Sequence, residues 1–101
     1  MNTQTLKHIL KEEMSQYAKQ GLNAYSYLTI TEDETLYAVI DIATIRGAQI
    51  VGAVLVARVL DDKIYIDLDL NDKFLADALL ARGIPYNQIK LMYQDESAPV
   101  F

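Results

Sequence analysis

The chain has 101 residues, no cysteine, one histidine, a formal net charge of -5 and a hydrophobic fraction of 51%. The missing cysteines exclude disulfides, thiolate metal sites and a cysteine nucleophile. The negative charge makes the chain a poor unaided ligand for nucleic acid, because phosphates repel it. The length fits one domain, expected over residues 1–101 with 94–101 as a flexible tail. The apolar fraction exceeds what so small a core absorbs, which points to a homo-oligomer or a protein partner. Met1 to Gln20 is studded with polar residues and lacks the apolar stretch of a secretory signal. No apolar run approaches the roughly 20 residues that span a bilayer. The expected location is therefore the cytoplasm, with no membrane partner.

Leu6, Ile9, Leu10, Met14 and Tyr17 recur at three- and four-residue spacing and predict a helix over Thr3 to Lys19. Asn2 or Thr3 is placed to cap its start and Gly21 to end it. Tyr25, Leu28 and Ile30 predict a short strand, and Thr31 to Glu34 an acidic turn. Thr35 to Ile45 reads as a second, nearly continuous apolar strand interrupted by Asp41. Residues 49–70 then form a hairpin that turns at Asp61-Asp62. In its first strand Ile50, Val54 and Val56 are assigned to one face, and Val51, Ala53, Leu55, Ala57 and Val59 to the other. A strand apolar on both faces is central, or meets a partner. In its second strand Ile64, Ile66, Leu68 and Leu70 alternate with Lys63, Tyr65, Asp67 and Asp69, one apolar face and one polar. Asn71 is placed to cap a second helix over Asp72 to Arg82, which Gly83 closes and Pro85 keeps closed. Ile89, Leu91 and Tyr93 predict a final strand, followed by a tail without periodicity. The fold class is α+β: an N-terminal helix, a mainly antiparallel twisted sheet of four to five strands, a second helix and a short C-terminal strand.

Chemistry is sparse. Asp67 and Asp69, two apart on a strand, would share a face at roughly 7 Å, close enough to hold a divalent cation or act as an acid/base pair. No histidine accompanies them, and Lys63 shares their face. His8 stands alone, beside the apolar stripe of the first helix, without the carboxylate and nucleophile that would make it catalytic. No serine sits in a nucleophile elbow, and Gly47 and Gly52 fit neither glycine-rich phosphate pattern. Basic residues are dispersed, so no track for DNA is visible. The acidic turn lacks the ligand spacing and glycine of a calcium loop. Seven tyrosines remain. Of these Tyr25, Tyr27, Tyr37, Tyr65, Tyr86 and Tyr93 are candidates for an interface, since a ring with a polar tip suits one.

The string IVGAVLVARVLDDKIYIDLDL, followed by a helix, then ARGIP and NQIKLMY, resembles the XisI-like family, named for a factor that controls excision of the fdxN element in cyanobacteria. Asp62-Lys63-Ile64-Tyr65-Ile66 stands where that family has a DKIWI-like string. Gly83-Ile84-Pro85 stands at its Gly-Val-Pro-like turn, and Ile89, Leu91 and Tyr93 follow at the matching offsets. The chain is divergent. Ala43-Thr44-Ile45 replaces a Gly-Trp, Tyr65 replaces a Trp, Val56 stands where a histidine is frequent, and the tail is DESAPVF. The resemblance implies a non-enzymatic regulatory or accessory protein that acts by protein contact on a DNA-rearranging system. It implies a XisH-like protein as partner, beside or in place of the second copy to which the apolar fraction points, and no cofactor is expected. The expected contact residues are Val54, Val56, Tyr65, Asp67 and Tyr93. The competing readings are a small metal-dependent enzyme using Asp67 and Asp69, and a DNA-binding accessory domain.

Overall fold

The structure is a computed structural model that describes residues 1–19 and 24–94. The first helix, α1 (Thr3–Ser15), starts where Asn2 Oδ1 accepts a hydrogen bond from the Thr5 amide at 2.8 Å. It ends at Ser15, four residues short of the predicted stop. Gln16 caps it in ordinary right-handed geometry, so the helix does not reach Gly21, which lies outside the described residues. Leu6, Ile9, Leu10 and Met14 are buried along one stripe. Each contributes roughly 1.5–3 kcal/mol of gross apolar burial.

Five strands form one sheet in the order β1 (Ala24–Ile30), β2 (Leu36–Ile45), β3 (Ala48–Leu60), β4 (Lys63–Asp69) and β5 (Ile89–Leu91). The first four pair antiparallel, and β5 joins β4 in parallel. Two-residue turns with left-handed backbone close both long hairpins. Arg46 and Gly47 (φ 52° and 78°) join β2 to β3, and Asp61 and Asp62 (φ 52° and 56°) join β3 to β4. The helix α2 (Leu75–Ala81) is shorter than the span predicted from Asp72 to Arg82. Asn71 does not cap it. The Leu75 amide donates instead to Asp69 Oδ2 at 2.8 Å, so a carboxylate from the end of β4 takes the role of the cap. Gly83, at φ 89°, ends the helix as expected. The predicted last strand over Gln88 to Tyr93 is three residues long, flanked by single 3-10 turns at Tyr86–Gln88 and Met92–Gln94. Of the tail expected over 94–101, Gln94 ends the last 3-10 turn and 95–101 lie outside the described residues.

The core lies on one face of the sheet. Tyr37, Val39, Leu55, Ala57, Val59, Ile64 and Ile66 are buried there against the α1 stripe and against Leu75, Leu79, Ile84 and Ile89. Two bulges set which residues join it. Val39 pairs with Leu55 but Ile40 with Ala53, so Val54 is an extra residue in β3. Val56 pairs with Leu68 but Ala57 with Ile66, so Asp67 is an extra residue in β4. The carbonyl of Val54 is held by the Leu70 amide at 2.9 Å and by Asn71 Nδ2 at 3.3 Å.

Candidate functional site

The bulges correct the assignment of faces. Strict alternation groups Val54 with Val56, and Asp67 with Asp69. One inserted residue reverses the parity beyond it. Val54 turns inward and packs on the core. Val56, level with Ala38 and Leu68, stays on the opposite face, which no described helix covers. Asp67 and Asp69 likewise part company. Asp67 lies outside, gripped by Arg58 through Nε at 2.7 Å and Nη2 at 3.0 Å. Asp69 is buried inside and accepts hydrogen bonds from the amides of Asn71 and Leu75 and from Asn71 Nδ2. Two carboxylates on opposite faces of a sheet cannot share a cation or a proton. Among the described residues no group of three or more His, Cys, Asp or Glu side chains is arranged to hold a metal.

The uncovered face carries Tyr25 and Tyr27 from β1, Ala38, Ile40 and Ile42 from β2, Val51, Ala53 and Val56 from β3, and Tyr65 and Leu68 from β4. The rings of Tyr25 and Tyr27 stack, with centroids 6.5 Å apart and planes at 24°. Near the other side of the face the Arg58 guanidinium sits 5.2 Å from the centre of the Tyr65 ring while it holds Asp67. That carboxylate, accepting two N–H bonds, raises the Arg58 pKa. The fork is therefore a fixed polar clamp at the rim of an apolar field. Four strands of about nine residues, at roughly 3.4 Å per residue and 4.8 Å between strands, make this face roughly 600 Å² in plan. That plan, polar positions included, approaches the roughly 800 Å² a stable partner covers.

Of the five expected contact residues, Val56, Tyr65 and Asp67 lie on this face. Val54 does not, and neither does Tyr93, which packs half-buried on the core side. Burial and, after it, the nearby carboxylates of Asp69 and Asp77 raise the Tyr93 pKa. The tyrosines sort by position: Tyr25, Tyr27 and Tyr65 face outward, Tyr37 is in the core, and Tyr86 stands exposed ahead of β5. The residues missed by sequence reasoning are Ile40, Ile42 and Leu68. Their apolar character was visible, but the parity that places them outside was not. His8 is exposed, 3.2 Å from Glu12, and faces no nucleophile.

On the helical side a cleft of about 390 Å³ lies between α1, β1 and the approach to α2, lined by Glu13, Tyr17, Lys19, Ser26 and Asn71 among others. Several of its polar groups already have partners. Glu13 accepts from Gln16 at 2.8 Å and lies 3.6 Å from Arg82. Tyr17 donates to the Lys73 carbonyl at 2.7 Å, and Ser26 to Asp41 at 2.6 Å. The cleft braces α1 against the chain that enters α2.

The described elements make a one-sided α+β sheet, with the helices on one face and an apolar field, uncovered among the described residues, on the other. The sequence profile of the XisI protein family matches residues 1–100, and the chain belongs to that family. Its fold is that of two crystal structures from Anabaena variabilis ATCC 29413. The first, a XisI-like protein, is 20% identical with a TM-score of 0.82, over 92% of this chain and 88% of that one. The second, fdxN element excision controlling factor XisI, is 22% identical with a TM-score of 0.64, over 94% and 91%. No curated protein matches the chain. None of the helices among the described residues is long and apolar enough to cross a membrane.

Proposed function

We propose that this protein is a non-enzymatic accessory factor of a DNA-rearranging system, and that it works in the cytoplasm by binding another protein through the uncovered face of its sheet. The observation that carries this reading is the face itself. It is apolar, set with outward tyrosines, and rimmed by the Arg58–Asp67 clamp. An aromatic and aliphatic centre with a charged rim is the composition of a protein interface. The name of the second crystal structure, an excision controlling factor, supplies the class of process. A XisH-like companion is the partner we propose. Direct contact with DNA is disfavoured by the net charge of -5.

The test is calorimetric titration of the purified chain into a purified XisH-like companion, repeated with Val56→Lys combined with Tyr65→Asp. Both positions face outward, so the double variant keeps its fold by circular dichroism and loses binding. Unchanged affinity in a folded double variant removes this face as the docking site. A gel shift with DNA at low salt, seen without the companion, would make the partner DNA instead.

A further inference from the structure

We infer that the protein pairs with a second copy of itself along the free edge of β3, so that two five-stranded sheets become one. This rests on the reading that the sheet is a docking surface, and it adds a second surface, the edge, to the face. Strand β4 pairs with β3 only from Leu55 to Leu60. Between Ala48 and Ala53 no described strand lies on that side of β3, and its other side is taken by β2. The two-residue turn at Arg46-Gly47 makes Ile45 and Ala48 a hydrogen-bonded pair, and alternation along the ladder then directs the N–H and C=O of Gln49 and Val51 away from β2.

Sheet edges are normally blunted by charge, proline, shortness or cover. The other two edges of this sheet follow that rule. Strand β1 has its Ser26 amide bonded to the Lys19 carbonyl at 2.8 Å, and β5 is three residues long and carries Lys90. Among the described residues the β3 edge has no charge, proline or cover from Ala48 to Ala53. From Ile42 to Ala57 the only charged residue is Arg46, at the turn. The hairpin arm around the edge is apolar on both faces and open: Ile45, Ile50 and Val51 are 53%, 52% and 61% exposed.

The segment suits its own copy. A two-fold axis at Ile50 sets Ile50 against Ile50, places Ala48 across from Gly52, and lets Gln49 and Val51 exchange backbone bonds in both directions. Large meets large on the axis and small meets small beside it, with no like charges opposed. Leu70 and Asn71, which hold the Val54 carbonyl, close the lane beyond and so stop the register there. The joined sheets set two outer faces side by side, doubling the field offered to a partner.

Sedimentation across a dilution series tests this. The wild type is expected to move between monomer and dimer. Val51→Pro removes an edge N–H that β2 does not use, so the variant stays folded and its association falls about tenfold or more. The chain has no cysteine, so Ile50→Cys gives a clean cross-link. A non-hydrogen-bonded pair puts Cα atoms about 4.5 Å apart, within disulfide range, and oxidation is expected to give a covalent dimer much faster than for Leu60→Cys, exposed at the far end of β3. A wild type that stays monomeric throughout overturns the inference. So does a dimer that Val51→Pro leaves intact, or one whose Ile50→Cys variant cross-links no faster than the control. If any of these occurs while the companion still binds and Val56→Lys with Tyr65→Asp still abolishes that binding, the proposed function survives and only the edge pairing fails.

Discussion

The hydroxyl of Tyr37 is buried in the core with no hydrogen-bond partner among the described residues. A buried polar group without a partner costs about 1–3 kcal/mol of desolvation. Tyr37→Phe is therefore expected to leave stability unchanged or raise it by about 1 kcal/mol in urea unfolding. Burial, and after it the charges of Glu34 and Asp33, push the Tyr37 pKa up to about 12. The unfolded tyrosine titrates near 10, so between pH 10 and 12 the unfolded chain holds fewer protons than the folded one and stability falls as pH rises. Tyr37→Phe should flatten that alkaline loss. A wild-type slope retained in the variant would assign the loss to Tyr17 and Tyr93, whose pKa values burial also raises.

Among the elements, α2 depends most on one side chain from elsewhere. It has seven residues and no side-chain cap of its own, and Asp69 accepts from its first amide. Removing that carboxylate also leaves Asn71 without two of its bonds. Asp69→Ala is expected to cost about 2–3 kcal/mol, from the lost cap and the buried donors left unpaired, measured as a fall in the urea midpoint. Gly52 is the opposite case. It sits inside β3 with an ordinary φ, and nothing lies within 4 Å of where a Cβ would stand. Gly52→Val should stabilise the chain by about 0.5–1 kcal/mol in the same assay, since glycine weakens a strand interior. The β3 strand was legible from its valine and isoleucine content. The cap was not, because Asp69 reaches Leu75 only after the bulge at Asp67 has turned it inward.

On the scale of the whole molecule, the asymmetry of the sheet divides its apolar residues into two populations. Ile66 is fully buried against the helices, whereas Val56 lies on the uncovered face. Ile66→Ala is expected to cost about 2–4 kcal/mol, through lost transfer energy and the cavity left behind. Val56→Lys should change the stability of the isolated chain by less than about 1 kcal/mol. The two thermal melts side by side check this. A large loss for Val56→Lys would mean that the outer face has an occupant within the chain itself.

The amino-acid sequence by itself determined the order of helices and strands, the hairpin turn at Asp61-Asp62, the end of α2 at Gly83 and the family resemblance. These follow from local forces: side-chain periodicity, turn geometry and helix termination act over a few residues. Only the tertiary structure decided which face each residue beyond a bulge occupies, that Asp67 and Asp69 are separated, that Val54 and Tyr93 belong to the core side, and that no described strand pairs with the outer edge of β3 from Ala48 to Ala53. A bulge is a relation between two strands far apart in sequence, set by what each must bury. One inserted residue leaves the apolar pattern almost unchanged while it reverses the face of every side chain beyond it.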